Sequence, residues 1–552
     1  MSGDARTLPL RDAPAVRGRV GRGGVLSARA RTITRAERET WLGVVALALI
    51  VAGSAFIVIA ATNRPSVLAP TTHANYFPHW MAGPLGGLWP SLTRNSTTLK
   101  YLFSGALVAM YAGYLLAVYY ARQLRARWVV AAIVAVHALF LLSVPLALTD
   151  IFNYVNYGRM EVVHHLNPYT TIPILEPHSD PSYDLSNWHQ LLSPYGPLFT
   201  LLTFAFVPLG VAASFWALKG LLALTSLATL YLIWRCAELL GRDPLAAIVL
   251  VGLNPIVLVW GLGGDHNDFV MLFFIVLALL LLLLAARARH RDATVTAPGP
   301  APHPLTGQSG ASVGPDAPAR PEAPVGHGAP AARGPRIVRR VGELDSREIA
   351  AGAALVTAAA IKASGAVLIP VVLASLIKAP RRLLGVALGM ILAGLVAGAA
   401  SLAAFGLHVP DLTTQSRLVT NLSIPNIVGL MVGAGGETST LHILFGAALG
   451  AALLACCVYA WRRGEAIAAC GWASVALVAT LSWALPWYVV WVLPLAALSA
   501  SRRLRIASLA LGVYLIIAWA PASGQLWNAI GFHPEKTPLG RLHQRSVKEL
   551  LN

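Results

Sequence analysis

Runs of about 18 to 23 apolar residues recur along most of the chain, and each is long enough to cross ~30 Å of hydrocarbon as a helix. No other feature constrains the fold as much. In lipid the backbone has no water to bond, so such a run satisfies its own N–H and C=O groups only by coiling into a helix. Composition agrees: of 552 residues, 56% are apolar and 12% charged, and the mean hydropathy is +0.64. The sequence describes an all-α, polytopic transmembrane helical bundle.

The net charge of +18 would suit a nucleic-acid partner, but its distribution suits a membrane better. Lys and Arg gather in short clusters between apolar runs: the tail up to Arg38, Arg122–Arg127, Arg235–Arg242, Lys378–Arg382, Trp461–Gly464, Ser501–Arg505 and the stretch 288–347. Placing all seven in the cytoplasm follows the positive-inside trend and gives about 13 spans. Basic tails also attract anionic membrane lipid, and no nucleic-acid partner is expected. The chain then divides into a basic cytoplasmic tail (1–40), an N-terminal transmembrane block (41–287) with an outer loop at 149–196, a cytoplasmic linker (288–347), a C-terminal transmembrane block (348–521) and a tail on the outer side (522–552). The linker is rich in Pro, Gly and Ala and cannot build a core, so it is expected to be disordered. The first apolar run starts near Trp41 behind a long Arg-rich tail, the pattern of a retained helix rather than a cleaved signal.

One apolar stretch, Gly196 to Gly210, would invert every later cluster if counted as a span. It is short and bounded by Pro197 and Pro208, so it is expected to be re-entrant and packed inside protein. The pair 348–361 and 365–378 is short for two spans. Cys236, Cys456, Cys457 and Cys470 have no metal-ligand spacing and read as small core residues. No internal repeat is visible, which weighs against an inverted-repeat transporter.

This topology sends 62–98, 149–196, 406–439 and the C-terminal tail to the outer side, and the polar motifs fall there too. "TDIFNYVNYGRMEVVHHLNPY" (Thr149 to Tyr169) follows an apolar run. Asp150, Tyr154, Tyr157 and Glu161 share one helical face and Ile151, Val155, Gly158 and Val162 another, which predicts an amphipathic helix on the outer membrane face. A headgroup anchor explains the tyrosines equally well. The loop continues through Asp180, Asp184, Asn187, Trp188, His189 and Tyr195, where planar carboxylates, amides and aromatic faces suit sugar hydroxyls and sugar rings.

"GLGGDHNDFV" (Gly261 to Val270) places Asp265, His266, Asn267 and Asp268 between two spans, with glycines for a sharp turn and Asp268 at a helix start, where it can cap. Lys362 stands at the outer end of its span against the positive-inside trend. It can snorkel, and an ionisable residue at the membrane is a functional candidate. Arg159 and Arg417 are further outer-side cations able to meet a phosphate. "SWALPWYVVWVLP" (Ser482 to Pro494) puts Trp487, Tyr488 and Trp491 at a helix start, more aromatic density than a belt needs.

In their order and shared sidedness, "DIFNYVNYGR" with "HHLNPY", "SPYGPLF", "LGGDHND", Lys362 in "AAIKASGAVLIP" and "PWYVVWVLP" resemble the GT-C integral-membrane glycosyltransferases. Among them the chain looks like the bacterial polyprenol-phosphate-mannose-dependent α-mannosyltransferases. The resemblance implies a GT-C-like bundle, a polyprenyl-phosphate mannose donor in the membrane and a mannan or lipoglycan-type acceptor at its outer face, joined by an α-1,6 linkage with inversion. It also implies an acid in an outer loop as base, a place held here by Asp150, since 62–98 contains no Asp or Glu. Tyr154, Tyr157, Arg159, Trp188, His189, Tyr195, Asp265, His266, Asn267, Asp268, Lys362, Arg417, Trp487 and Tyr488 are the candidate substrate contacts. No cofactor is expected beyond the donor. There is no DxD triplet and no metal site is expected, although Asp265 and Asp268 leave a divalent ion open. An arabinofuranose or glucose donor is the nearest alternative, and a lipid-linked sugar flippase or transporter the non-enzymatic one.

Overall fold

The computed structural model describes residues 35–62, 78–89, 95–146, 149–296 and 344–551. Most of the expected basic tail, most of the linker 288–347 and parts of the first outer loop lie outside these residues. All regular structure among the described residues is helical.

Helix α1 (Arg35–Thr62) packs along α3 (Ser96–Tyr119), with the single turn α2 (His79–Ala82) between them in sequence. Next come α4 (Ala126–Leu141), α5 (Asp150–His164), α6 (Pro197–Phe204), α7 (Gly210–Leu239), α8 (Pro244–Gly252) and α9 (Asp268–Thr296). The second half holds α10 (Ser346–Ile361), α11 (Ile369–Leu376), α12 (Pro380–Phe405), the single turn α13 (Thr413–Ser416), α14 (Ile424–Met431), α15 (Ser439–Arg463), α16 (Ala466–Thr480), α17 (Leu493–Leu498), α18 (Arg502–Trp519), α19 (Ser523–Ala529) and α20 (Pro538–Leu551). One continuous apolar core joins the halves, from Ile50, Leu107 and Phe140 through Phe215 and Val276 to Leu355 and Val489. The four cysteines are free thiols, three of them buried.

Six helices among the described residues are long and apolar enough to cross a membrane: Glu37–Thr62, Ser96–Tyr119, Pro197–Leu239, Asp268–Arg291, Pro380–Phe405 and Ser439–Arg463. Helices α18 and α19 make a seventh if taken as one span bent by 78°. The remaining expected spans are shorter apolar elements. The run 244–262 breaks after Gly252 and resumes as a π-helical turn over Val257–Leu262, and the runs near 365 and 485 begin as 3₁₀ turns. Leu395 and Val396 on α12 and Ile443 and Leu454 on α15 are exposed, as apolar side chains facing lipid would be.

Two local expectations change. The stretch Gly196–Gly210 forms one 43-residue apolar helical run with the helix after it, with a 3₁₀ turn at Val207–Leu209 where Pro208 interrupts the backbone bonding. It stands in line with that helix as a separate helix of eight residues instead of as an isolated piece. Helix α5 begins at Asp150 as expected, but it does not lie with one face in water. Asn153, Tyr154, Asn156 and Tyr157 are as buried as Ile151 and Val155, because the loop 167–196 covers the polar face.

Helix polarity separates the charges. At one end of α9 and α10, Glu348 meets both Arg289 and Arg382, and Lys378 Nζ donates to Arg462 O (3.1 Å), joining two further basic clusters. At the other end of the same two helices stand Asp268 and Lys362.

Candidate active site

Asp150 is the first residue of α5, where a carboxylate complements the helix dipole. Its side chain is 15% exposed, and its Oδ2 lies 3.3 Å from His266 Nδ1 without hydrogen-bond alignment. The His266 ring is stacked on Trp487, with centroids 3.5 Å apart and planes 13° from parallel. Four residues further along α5, the Tyr154 hydroxyl accepts from the Asn267 backbone N–H (3.2 Å). The helix start is thus bolted to the Gly-Gly-Asp-His-Asn-Asp turn.

That turn is tight because side chains are excluded from it. A Cβ on Gly263 would lie 2.5 Å from Val259 O, and one on Gly264 2.3 Å from Trp260 O. Asp265 then adopts a left-handed backbone, φ 58°, which costs a residue with a Cβ about 1–2 kcal/mol. Its carboxylate is held by Lys219 Nζ at 2.8 and 2.9 Å, and both side chains are buried. Sequence reasoning did not single out Lys219. The signal was a lone lysine inside the apolar run of α7, a functional pointer in its own right.

Asp268 opens α9 and is doubly engaged: Lys362 Nζ donates to Oδ2 (2.6 Å) and Trp491 Nε1 to Oδ1 (2.6 Å). Lys362 follows the last residue of α10 in an extended conformation, and its ammonium lies 5.7 Å and 5.9 Å from the Tyr488 and Trp491 ring centroids. It keeps 20% of its side chain exposed. The loop bearing Tyr195 is pressed onto the same helix end. Gly196 N–H donates to Ile361 O (3.0 Å), and a Cβ on Gly196 would stand 2.1 Å from Ala360 O.

These contacts frame a narrow cleft of about 60 Å³ whose lining includes Asp150, Tyr157, Trp188, Tyr195, Lys362, Trp487 and Tyr488, with Gln415, Leu418 and Trp483 also on its wall. Tyr157 is steadied by donating to Leu191 O (2.7 Å). Behind this lining, Tyr154, Asp265, His266 and Asp268 form the support, and the Asn267 side chain is buried with no hydrogen-bond partner. The two aspartates considered for a divalent ion each have a lysine ammonium on an oxygen.

Three expected contacts belong neither to the cleft lining nor to the support behind it. Arg159 makes a two-nitrogen pair with Asp180 (2.8–3.1 Å), joined by His164 (2.7 Å). Burial opposes ionisation of Asp180, but the bonds from Arg159, Ser182 and His164 overcome it and hold the carboxyl well below the usual range. His189 stacks on Tyr183 and bonds Tyr183 O and Ser186 Oγ, both at 3.0 Å. Arg417 is exposed between Gln415 and Leu418 of the cleft wall. Glu176, which binds Asn156, is pushed up to about 7 by burial.

A carboxylate, an ammonium and indole faces thus converge at one end of a bundle of helices long and apolar enough to cross a membrane. The chain belongs to the alpha-(1->6)-mannopyranosyltransferase family: residues 40–378 match its N-terminal domain, and residues 420–533 match the MptB C-terminal domain. It is similar to Alpha-(1->6)-mannopyranosyltransferase A of Mycobacterium tuberculosis (strain ATCC 25618 / H37Rv), 34% identical over 136 residues. That match covers 24% of this chain and 26% of the relative, so the chain aligns with about a quarter of that protein's length. No solved structure matches the chain significantly.

Proposed function

We propose that the protein transfers mannose from polyprenyl-phosphate mannose to a mannan or lipoglycan-type acceptor at the outer face of the cell membrane, forming an α-1,6 linkage with inversion. The observation that carries this reading is that Asp150 and Lys362 line the same cleft, one residue fit to take a proton and the other to meet a phosphate. The acceptor hydroxyl oxygen attacks the anomeric carbon, and the bond from that carbon to the phosphate oxygen breaks. The phosphate leaves with the electron pair, and the hydroxyl proton passes to Asp150 as general base. Lys362 faces the charge that develops on the leaving phosphate, with Asp268 and Trp491 fixing its position beforehand. Trp487 and Tyr488 supply faces for a sugar ring. His266, stacked on Trp487, keeps a polar nitrogen against Asp150.

The topology belongs to the same proposal: an N-terminus in the cytoplasm, about 13 crossings with the shorter helices counted, and the cleft open to the outer headgroups. It is supported by the position of Arg289, Glu348 and Arg382 at the opposite ends of α9 and α10 from Asp268 and Lys362.

The test is transfer from radiolabelled polyprenyl-phosphate mannose in membranes carrying Asp150→Asn. Transfer is expected to fall by at least 10²-fold, the scale of a lost general base, while the protein still inserts. Near-normal transfer would remove Asp150 from the base role.

A further inference from the structure

The C-terminal segment borders a second, larger and partly open cavity next to the cleft. Helix α18 ends at Trp519, and α19 leaves it at 78°. The chain then returns through α20, whose Val547, Leu550 and Leu551 pack on Trp188, Leu191 and Leu418, and Gln190 N–H donates to Leu550 O (3.2 Å). The space between these elements measures about 520 Å³, within the range of about 300–1,000 Å³ typical of small-molecule sites. Trp483 is on the wall of this cavity and of the catalytic cleft, so the two adjoin.

The lining is largely apolar, and set into it are three indoles, Trp483, Trp519 and Trp527, with Asn421, Glu535 and Gln544. Flat aromatic faces interleaved with amides and a carboxylate suit sugar rings and their hydroxyls. A polyprenyl chain offers no hydroxyls and would leave the amides and the carboxylate without partners from the ligand.

We propose that this cavity is a glycan subsite holding acceptor sugar units behind the residue whose hydroxyl meets Asp150. The proposal rests on the mannosyl-transfer reading above. It makes the enzyme prefer longer acceptors, because a chain long enough to pass Trp483 gains contacts that a disaccharide cannot reach.

The full-length protein in detergent is assayed with polyprenyl-phosphate mannose and synthetic α-1,6-linked mannosides of two and six units. Two variants are compared with wild type: Trp527→Ala, and Gln544→Ala, an exposed position on α20 that does not threaten folding. The expected result is a lower KM for the longer acceptor in wild type, with that advantage cut about tenfold in each variant, equivalent to ~1.4 kcal/mol, and no change in kcat. Equal KM changes for both acceptors, or none, would overturn the subsite. So would a change confined to the lipid donor's KM, which would assign the cavity to the polyprenyl chain. Equilibrium binding of a fluorescent hexamannoside separates the two readings. Binding that is lost in Trp527→Ala supports the subsite even if wild type transfers to neither acceptor, a result that would sink only the transfer reading. Absence of binding to wild type overturns the subsite itself.

Discussion

At the scale of single residues, the most consequential contact is the buried pair of Lys219 and Asp265. The ammonium holds a carboxylate on a left-handed residue in the turn that also carries His266 and Asp268, which support the cleft from behind. Removing one partner strands the other charge, which costs about 3–5 kcal/mol in buried pairs. Lys219→Met should therefore lower the thermal midpoint of the detergent-solubilised protein by several degrees and abolish transfer. Adding Asp265→Asn should recover much of the stability; failure of the double variant to recover would show that the pair does not act as a unit. Glu176 gives a pH signature. Its carboxyl titrates at about 4.5 in the unfolded chain and is pushed up to about 7 by burial in the folded one. Between those values the folded state holds a proton the unfolded state has lost, so stability should fall as pH rises from about 4.5 to 7 and then level off. Glu176→Gln should flatten that slope in melts across the window. Asp180 acts in the opposite sense, its contribution present above 3.8 and lost as pH falls below. Much of the cleft was legible in the sequence, because Asp150, Lys362, Trp487 and Tyr488 are polar or amphipathic residues at the ends of apolar runs. Arg159 and His189 were not, because Asp180 and Tyr183 become their partners only once the loop 167–196 has folded.

At the scale of elements, the long helices α1, α3, α9, α12 and α15 were legible because apolar length alone defines them. The short ones were not, since a helix of 6 or 8 residues such as α17 or α11 is stabilised by neighbours, not by its own sequence. Close helix packing follows from glycine placement. A Cβ on Gly389 of α12 would fall 1.8 Å from Ile349 O of α10, and one on Gly352 of α10 would fall 2.0 Å from Val386 O of α12. Two backbones in direct contact have no space for a methyl group. Gly394, five residues further along α12, has open space. Gly389→Ala should destabilise by about 1–3 kcal/mol through overpacking, and should also disturb Lys362 at the far end of α10. Gly394→Ala should be neutral or stabilising by up to ~1 kcal/mol, because Ala is the better helix former. Paired melts of the two variants check this, and equal effects would mean that the helices part without cost.

At the scale of the whole molecule, the helices on either side of residues 297–343 pack against each other. Helix α10 lies against α9 and α12, and the family match covers residues 40–378. Glu348, buried at the start of α10, meets Arg289 from α9 and Arg382 from α12, so one carboxylate ties three helices together. The continuous core from Ile50 to Val489 makes the same point in apolar terms: neither half can bury its own face. Two separate polypeptides, 1–296 and 344–552, should therefore associate when co-expressed in one membrane. An affinity tag on the first should recover the second in comparable amount, with measurable transfer activity. Glu348→Ala in the second piece should reduce recovery, because it leaves two guanidinium groups without their shared carboxylate. Independent migration of the two pieces would mean that the connecting chain, not the helix interface, holds the halves of the bundle together.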